Sequence, residues 1–202
     1  MTDVRVLIVE DEPLIAEDIS DFLSEIDYTC AGIAYDSETA LDMLVNRHPD
    51  IALLDITIEG SMNGIDLAQI INQKYDIPFV YLTSHSDKAT LDCAKKTLPY
   101  GYIVKPFNEK DLLSTLEMAL FRHATENKGV LSDLNVINKK LDVKITGREY
   151  ICLQQLTDGL TNKQMAEKQF VSVNTIKTHL KNLFLKLGVK NRTSVINKVL
   201  AI

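Results

Sequence analysis

Cysteine is scarce in this sequence and is nowhere concentrated. Cys30, Cys93 and Cys152 are odd in number and far apart, and none forms a C-x-x-C pair. A disulfide framework and a thiolate zinc site therefore both lack their residues, and all three cysteines are expected to act as small buried hydrophobes. Also missing is a run of about 18 apolar residues, the length a membrane-spanning helix needs. The opening Met1-Thr2-Asp3-Val4 is not the start of a secretory signal. These absences point to a cytoplasmic protein without a membrane partner. What is present is ordinary for a globular chain: of 202 residues, 46% are apolar and 25% charged. That length admits one large domain or two small ones.

The formal charge of -6 conceals an asymmetry. Residues 1–124 carry 9 Lys+Arg against 22 Asp+Glu, a net of -13, whereas residues 125–202 carry 13 against 6, a net of +7. An acidic half joined to a basic half implies two domains, the second facing a polyanion.

In the acidic half, five apolar, β-branched stretches (residues 4–9, 29–34, 51–55, 79–83 and 102–105) alternate with segments of helical spacing such as Leu14, Ile15, Ile19, Phe22, Leu23 and Ile26. This pattern predicts an α/β fold, a doubly wound (βα)5 domain whose parallel sheet is covered on both faces. In such sheets ligands sit at the carboxyl ends of the strands. Glu10 and Asp11 follow the first strand, Asp55 ends the third, Thr83 the fourth, and Lys105 with Pro106 the fifth. At about 6 Å and an effective dielectric of about 20, each carboxylate pair repels by about 3 kcal/mol. A hard divalent cation bound by oxygen offsets such repulsion, and Mg2+ suits a site that keeps waters.

The set Glu10-Asp11, Asp55, Thr83 and Lys105-Pro106, each ending its own strand, resembles the receiver domain of two-component response regulators over about residues 3–122. The resemblance implies that Asp55 accepts a phosphoryl group from a sensor histidine kinase. It further implies that Mg2+ is held by Asp11, by Asp55, through water by Glu10, and by the backbone carbonyl of Thr57. By the same resemblance Thr83 closes on the phosphoryl oxygens, Lys105 pairs with them, the Lys105-Pro106 bond is cis, and Tyr102 swings inward when Thr83 moves. His85, just after Thr83, is a weaker phosphate-site candidate. The loop after Asp55, ITIEGSMNGID, is about one residue longer than the common receiver loop, lacks its proline, and has Asn63 where an acid often stands. Gly60 and Gly64 are expected to supply its turn conformations.

Past Leu120 the pattern weakens into Asn, Ser, Lys and Gly129, which predicts a mobile connection over 125–142 between a first domain, 1–124, and a second, 143–202. The second contains two capping boxes, Thr146 with Glu149 and Thr161 with Gln164, plus Gly159, Ser172 and Gly188 as helix punctuation. Four short helices follow, over about 147–158, 162–168, 173–187 and 192–200, with the middle pair at helix-turn-helix spacing. Ile176, Leu180, Leu183, Phe184 and Leu187 form one stripe of the third helix, and Asn174, Lys177, Thr178 and Lys181 form the opposite face, with His179 off its centre.

This segment, through G-L-T-N-K-Q-M-A, V-S-V-N-T-I-K-T-H and K-L-G-V-K-N-R, resembles the LuxR/FixJ-type helix-turn-helix DNA-binding domain. The resemblance implies that the third helix enters the major groove of double-stranded DNA. Lys177, Thr178 and Lys181 would then face bases or phosphates, while Thr161, Asn162, Lys163 and Asn174 lie near the backbone and the last helix makes a homodimer contact. Gln169 departs from the apolar residue common at its position. The joint expectation is a phosphorylation-switched transcriptional regulator rather than an enzyme. A phosphohydrolase with a strand-end nucleophile resembles D-x-D there, and Asp55-Ile56-Thr57 has no second acid.

Overall fold

Strands of branched apolar residues, buried on both faces, can only be accommodated inside a layered structure. The computed structural model, which describes residues 3–26, 28–84, 88–126 and 131–202, has five of them: β1 (Val4–Val9), β2 (Tyr28–Ala34), β3 (Ile51–Asp55), β4 (Phe79–Thr83) and β5 (Gly101–Val104). They alternate with α1 (Pro13–Glu25), α2 (Ser37–Arg47), α3 (Gly64–Lys74), α4 (Lys88–Lys95) and α5 (Glu109–Glu126). The sheet order is β2-β1-β3-β4-β5. Val9 pairs in parallel with Leu54, Asp55 with Leu82, and Thr83 with Val104. Every residue of β3 and β4 is buried, as central strands require, whereas edge strand β5 is only partly so. The order reverses between β1 and β3, so a crevice opens beyond their carboxyl ends.

The chain divides into two compact units, residues 5–120 and residues 121–202 together with 1–4. The second unit holds α6 (Leu134–Leu141), α7 (Gly147–Thr157), α8 (Asn162–Gln169), α9 (Val173–Leu187) and α10 (Arg192–Leu200). Both expected capping boxes are formed, Ser172 caps α9 by accepting from the Thr175 amide, and Gly188 ends it in the left-handed conformation at φ 64°. The apolar stripe of α9 is buried throughout. No helix among the described residues is long and apolar enough to cross a membrane.

Two expectations need correction. The stretch 125–142, read as a mobile connection, contains helix α6, which Asp133 caps and whose Ile137 is fully buried in one cluster with Leu153 and Leu180. Leu134, Ile137 and Leu141 have helical spacing, but in a segment of eight residues rich in Asn and Lys the signal is short, and packing stabilises the helix. The cysteines are not uniformly buried either: Cys152 is, Cys30 is intermediate and Cys93 is exposed.

Candidate functional site

The parallel register sets the edge. Glu10 and Asp11 leave β1 where Asp55 ends the adjacent β3, and one carboxylate oxygen of each lies within 4.8 Å of the others. Lys105, just past β5, reaches back to them. Its ammonium is 2.5 Å from Asp55 Oδ2 and 2.6 Å from Glu10 Oε2, with the exposed Glu12 carboxylate at 3.8 Å. The other Asp55 oxygen, Oδ1, accepts from the Thr57 amide at 2.9 Å. The Lys105-Pro106 peptide bond is cis.

The electrostatics follow from this crowding. Burial pushes the Glu10 carboxyl upward, Lys105 draws it back by a hydrogen bond, and the Asp55 charge adds to the rise, which wins. Burial disfavours the Lys105 ammonium, but the hydrogen bonds and charges of Asp55 and Glu10 outweigh it, so Lys105 holds its proton more tightly than a free lysine. Three carboxyl groups against one ammonium leave an excess of oxygen donors at one point. That donor set fits a hard divalent cation such as Mg2+.

Thr83 is buried at the end of β4, and its hydroxyl donates to the Ser84 carbonyl at 3.2 Å. Tyr102, on β5, packs with its ring centroid 5.6 Å from that of Tyr81. Its hydroxyl is buried without a hydrogen-bond partner among the described residues, and burial raises its pKa. His85 lies outside the described residues.

The loop after Asp55 shows what the sequence reading missed. Its backbone is tied to the β2–α2 corner: the Ser37 amide donates to the Glu59 carbonyl at 3.1 Å and the Ser61 amide to Glu38 Oε1 at 3.1 Å. Hydrogen bonds from Ser61, with one from Ser37, hold the Glu38 carboxyl down at about 2. The signal was weak, because Glu38 lies 23 residues from Ser61 in an ordinary first helical turn. Asn63 caps α3, accepting from the Ile65 and Asp66 amides. Of the two glycines, Gly60 has a positive φ of 114°, as expected. Gly64 is instead required for closeness, since a Cβ there would lie 1.9 Å from the Asp55 carbonyl oxygen.

In the second unit, Asn174, Thr178, Lys181 and Lys163 are exposed, while Lys177 and His179 are partly buried. Thr161 and Asn162 are buried. The Thr161 hydroxyl accepts from the Gln164 amide, and the Asn162 side-chain oxygen accepts from Arg192, which also donates to the Leu160 carbonyl at 2.8 Å. These two side chains therefore fix the start of α8 rather than face outward. Gln169 is accommodated by a donor role, to Gln155 Oε1 at 2.7 Å and to Cys152 Sγ at 3.6 Å.

Comparison with known proteins agrees with both halves. The model of the response regulator receiver domain matches residues 6–117, and that of bacterial regulatory proteins of the luxR family matches residues 143–199. The DNA-binding transcriptional activator DevR/DosR of Mycobacterium tuberculosis is 29% identical over 199 residues, 94% of this chain and 91% of that protein. The transcriptional regulatory protein DegU of Brevibacillus brevis is 24% identical over 216 residues, 96% and 91%. Among solved structures, the signal receiver domain of a modulated diguanylate cyclase from Desulfovibrio desulfuricans G20 matches 59% of this chain and 94% of its own, with 33% identity and a TM-score of 0.57. With strand-end acids on the first unit and a helix-turn-helix in the second, this chain belongs to the response regulators: it is a DNA-binding transcriptional regulator of the two-component class, with a receiver domain and a luxR-family domain.

Proposed function

We propose that Asp55 is the phosphoacceptor of this cytoplasmic regulator and that a sensor histidine kinase is the donor. The observation that carries the reading is the meeting of Asp55 with Glu10, Asp11 and Lys105 at the reversal point of the sheet. Phosphoryl transfer depends chiefly on positioning and charge neutralisation. An Asp55 carboxylate oxygen attacks phosphorus, the P–N bond of the phosphohistidine breaks, and its electron pair stays with the imidazole, which takes a proton from solvent. Lys105 neutralises charge on the transferred group, and the Thr57 amide steadies Asp55. Mg2+, held by Asp11, Asp55, Glu10 through water and the Thr57 carbonyl, would supply electrostatic stabilisation of the phosphoryl oxygens. The phosphorylated aspartate then carries acceptor oxygens able to draw the Thr83 hydroxyl, with Tyr102 adjusting behind it.

The output is carried by the second domain. Residues 1–124 act as the switch and 143–202 as the DNA reader, and the stretch between them, 125–142, contributes helix α6 to the core of the second unit. Helix α9 docks in the major groove through Lys177, Thr178 and Lys181, with Lys163 and Asn174 at the backbone. Helix α10 joins two copies, so the operator holds two half-sites about one helical turn apart. Incubation with a small phosphodonor and Mg2+ should add one phosphoryl group to the mass of the wild-type protein and none to Asp55→Asn. An unmodified wild-type mass, or a shift that survives in Asp55→Asn, would overturn the assignment.

A further inference from the structure

The turn of the helix-turn-helix holds an aromatic side chain that stands almost wholly clear of the described residues. Phe170 is 95% exposed, and its backbone is left-handed at φ 54° and ψ 43°. Water is an unfavourable place for a phenyl ring, and that backbone region disfavours any residue with a Cβ. Glycine or asparagine would end α8 there with less strain. The bonds that close the turn are made by backbone: the Phe170 amide donates to the Glu167 carbonyl at 3.2 Å and the Val171 amide to the Ala166 carbonyl at 3.0 Å. Neither needs a ring. Among the described residues, non-glycine positive φ occurs at His48, Asp76, Leu98, Asp142 and Phe170. Only Leu98 and Phe170 of these are large, apolar and exposed, and only Phe170 belongs to the helix-turn-helix.

Its surroundings name the occupant. Two residues on, Ser172 caps α9, whose exposed side carries Asn174, Thr178 and Lys181, and α8 adds the exposed Lys163 and Lys168. That charge attracts a polyanion, and a helix-turn-helix sets the N-terminal residues of its second helix against base edges. The turn that leads into α9 therefore arrives at the duplex surface with its ring. Duplex DNA offers apolar surface there in two forms, thymine methyl groups in the major groove and the deoxyribose of the backbone.

We propose that Phe170 is a DNA-contacting residue whose ring packs on apolar surface of the duplex and supplies a part of the affinity that does not depend on salt. The inference rests on the docking of α9 proposed above and extends it to the turn. Its test uses the full chain with phosphodonor and Mg2+, and a duplex selected by the wild-type protein. Phe170→Asn keeps a residue that tolerates the left-handed conformation. It should bind roughly tenfold more weakly at every salt concentration, with an unchanged slope of log affinity against log salt, and should melt no lower than wild type. Lys163→Ala, the electrostatic control, should flatten that slope by about 1. Replacing each thymine by deoxyuridine separates the two surfaces. A thymine contact makes one substitution weaken the wild type and leave Phe170→Asn unaffected, whereas with a deoxyribose contact every substitution affects the two proteins equally. Wild-type affinity in Phe170→Asn, or weaker binding accompanied by a lower melting temperature, overturns the inference alone. Failure of the wild type to select any duplex overturns it together with the docking.

Discussion

Gly64 has no room for a methyl group. The position a Cβ would take is 1.9 Å from the Asp55 carbonyl oxygen and 3.1 Å from the Ile56 Cα. Both are backbone atoms, so α3 or the end of β3 would have to move. Gly64→Ala is expected to cost about 1–3 kcal/mol of receiver stability and, because the displaced strand end carries Asp55, to slow labelling by a small phosphodonor. Thermal unfolding and the labelling rate check the two halves, and a variant with both values unchanged would contradict the close approach. The glycine itself was legible in the loop, but the reason for it was not. A turn conformation is a local property that composition suggests, whereas a clash between residues 55 and 64 exists only once β3 and α3 are packed. Lys105 illustrates the same limit, since it lies 50 residues from Asp55 and its ion pair with Asp55 and Glu10 depends on how strands pair.

At the scale of elements, the start of α7 is held by more than its own cap. The Glu149 carboxylate accepts from the Thr146 amide at 2.8 Å and from Lys186 of α9 at 2.6 Å, so one buried side chain closes a capping box and joins two helices. Burial alone would raise its pKa, but Lys186 and Thr146 outweigh that and lower it from 4.5. A carboxyl depressed in the folded state contributes stability above its unfolded pKa and loses it as pH falls through the folded value. Glu149→Ala should therefore destabilise the C-terminal domain by about 2 kcal/mol near neutral pH. The difference from wild type should shrink as the solution is acidified below pH 4.5. Denaturant melts along a pH series test this, and a difference that grows on acidification would exclude it. The capping box was readable because its residues are three apart. The link to Lys186 was not, being 37 residues away.

At the scale of the whole molecule, a phosphate site and a duplex site on one chain should be thermodynamically reciprocal. If beryllofluoride, a phosphoryl mimic, raises duplex affinity by some factor, the duplex must raise beryllofluoride affinity by the same factor, expected at about 5–150-fold. Paired titrations on the full chain measure both, and a factor of one in each would remove the switch. The split of charge, -13 over residues 1–124 and +7 over 125–202, already separated the two roles in the sequence. Element order, the residues that end each strand and the helix caps were likewise determined by sequence alone, because apolar periodicity and capping are relations between near neighbours. The tertiary structure decided the rest. Glu38 pins the loop that follows Asp55, Gly64 lies against the Asp55 carbonyl, and Ile137 is drawn into a core that makes part of an expected mobile connection into helix α6. Each of these is a contact between residues that are not near neighbours in the chain, which packing creates and no local pattern encodes.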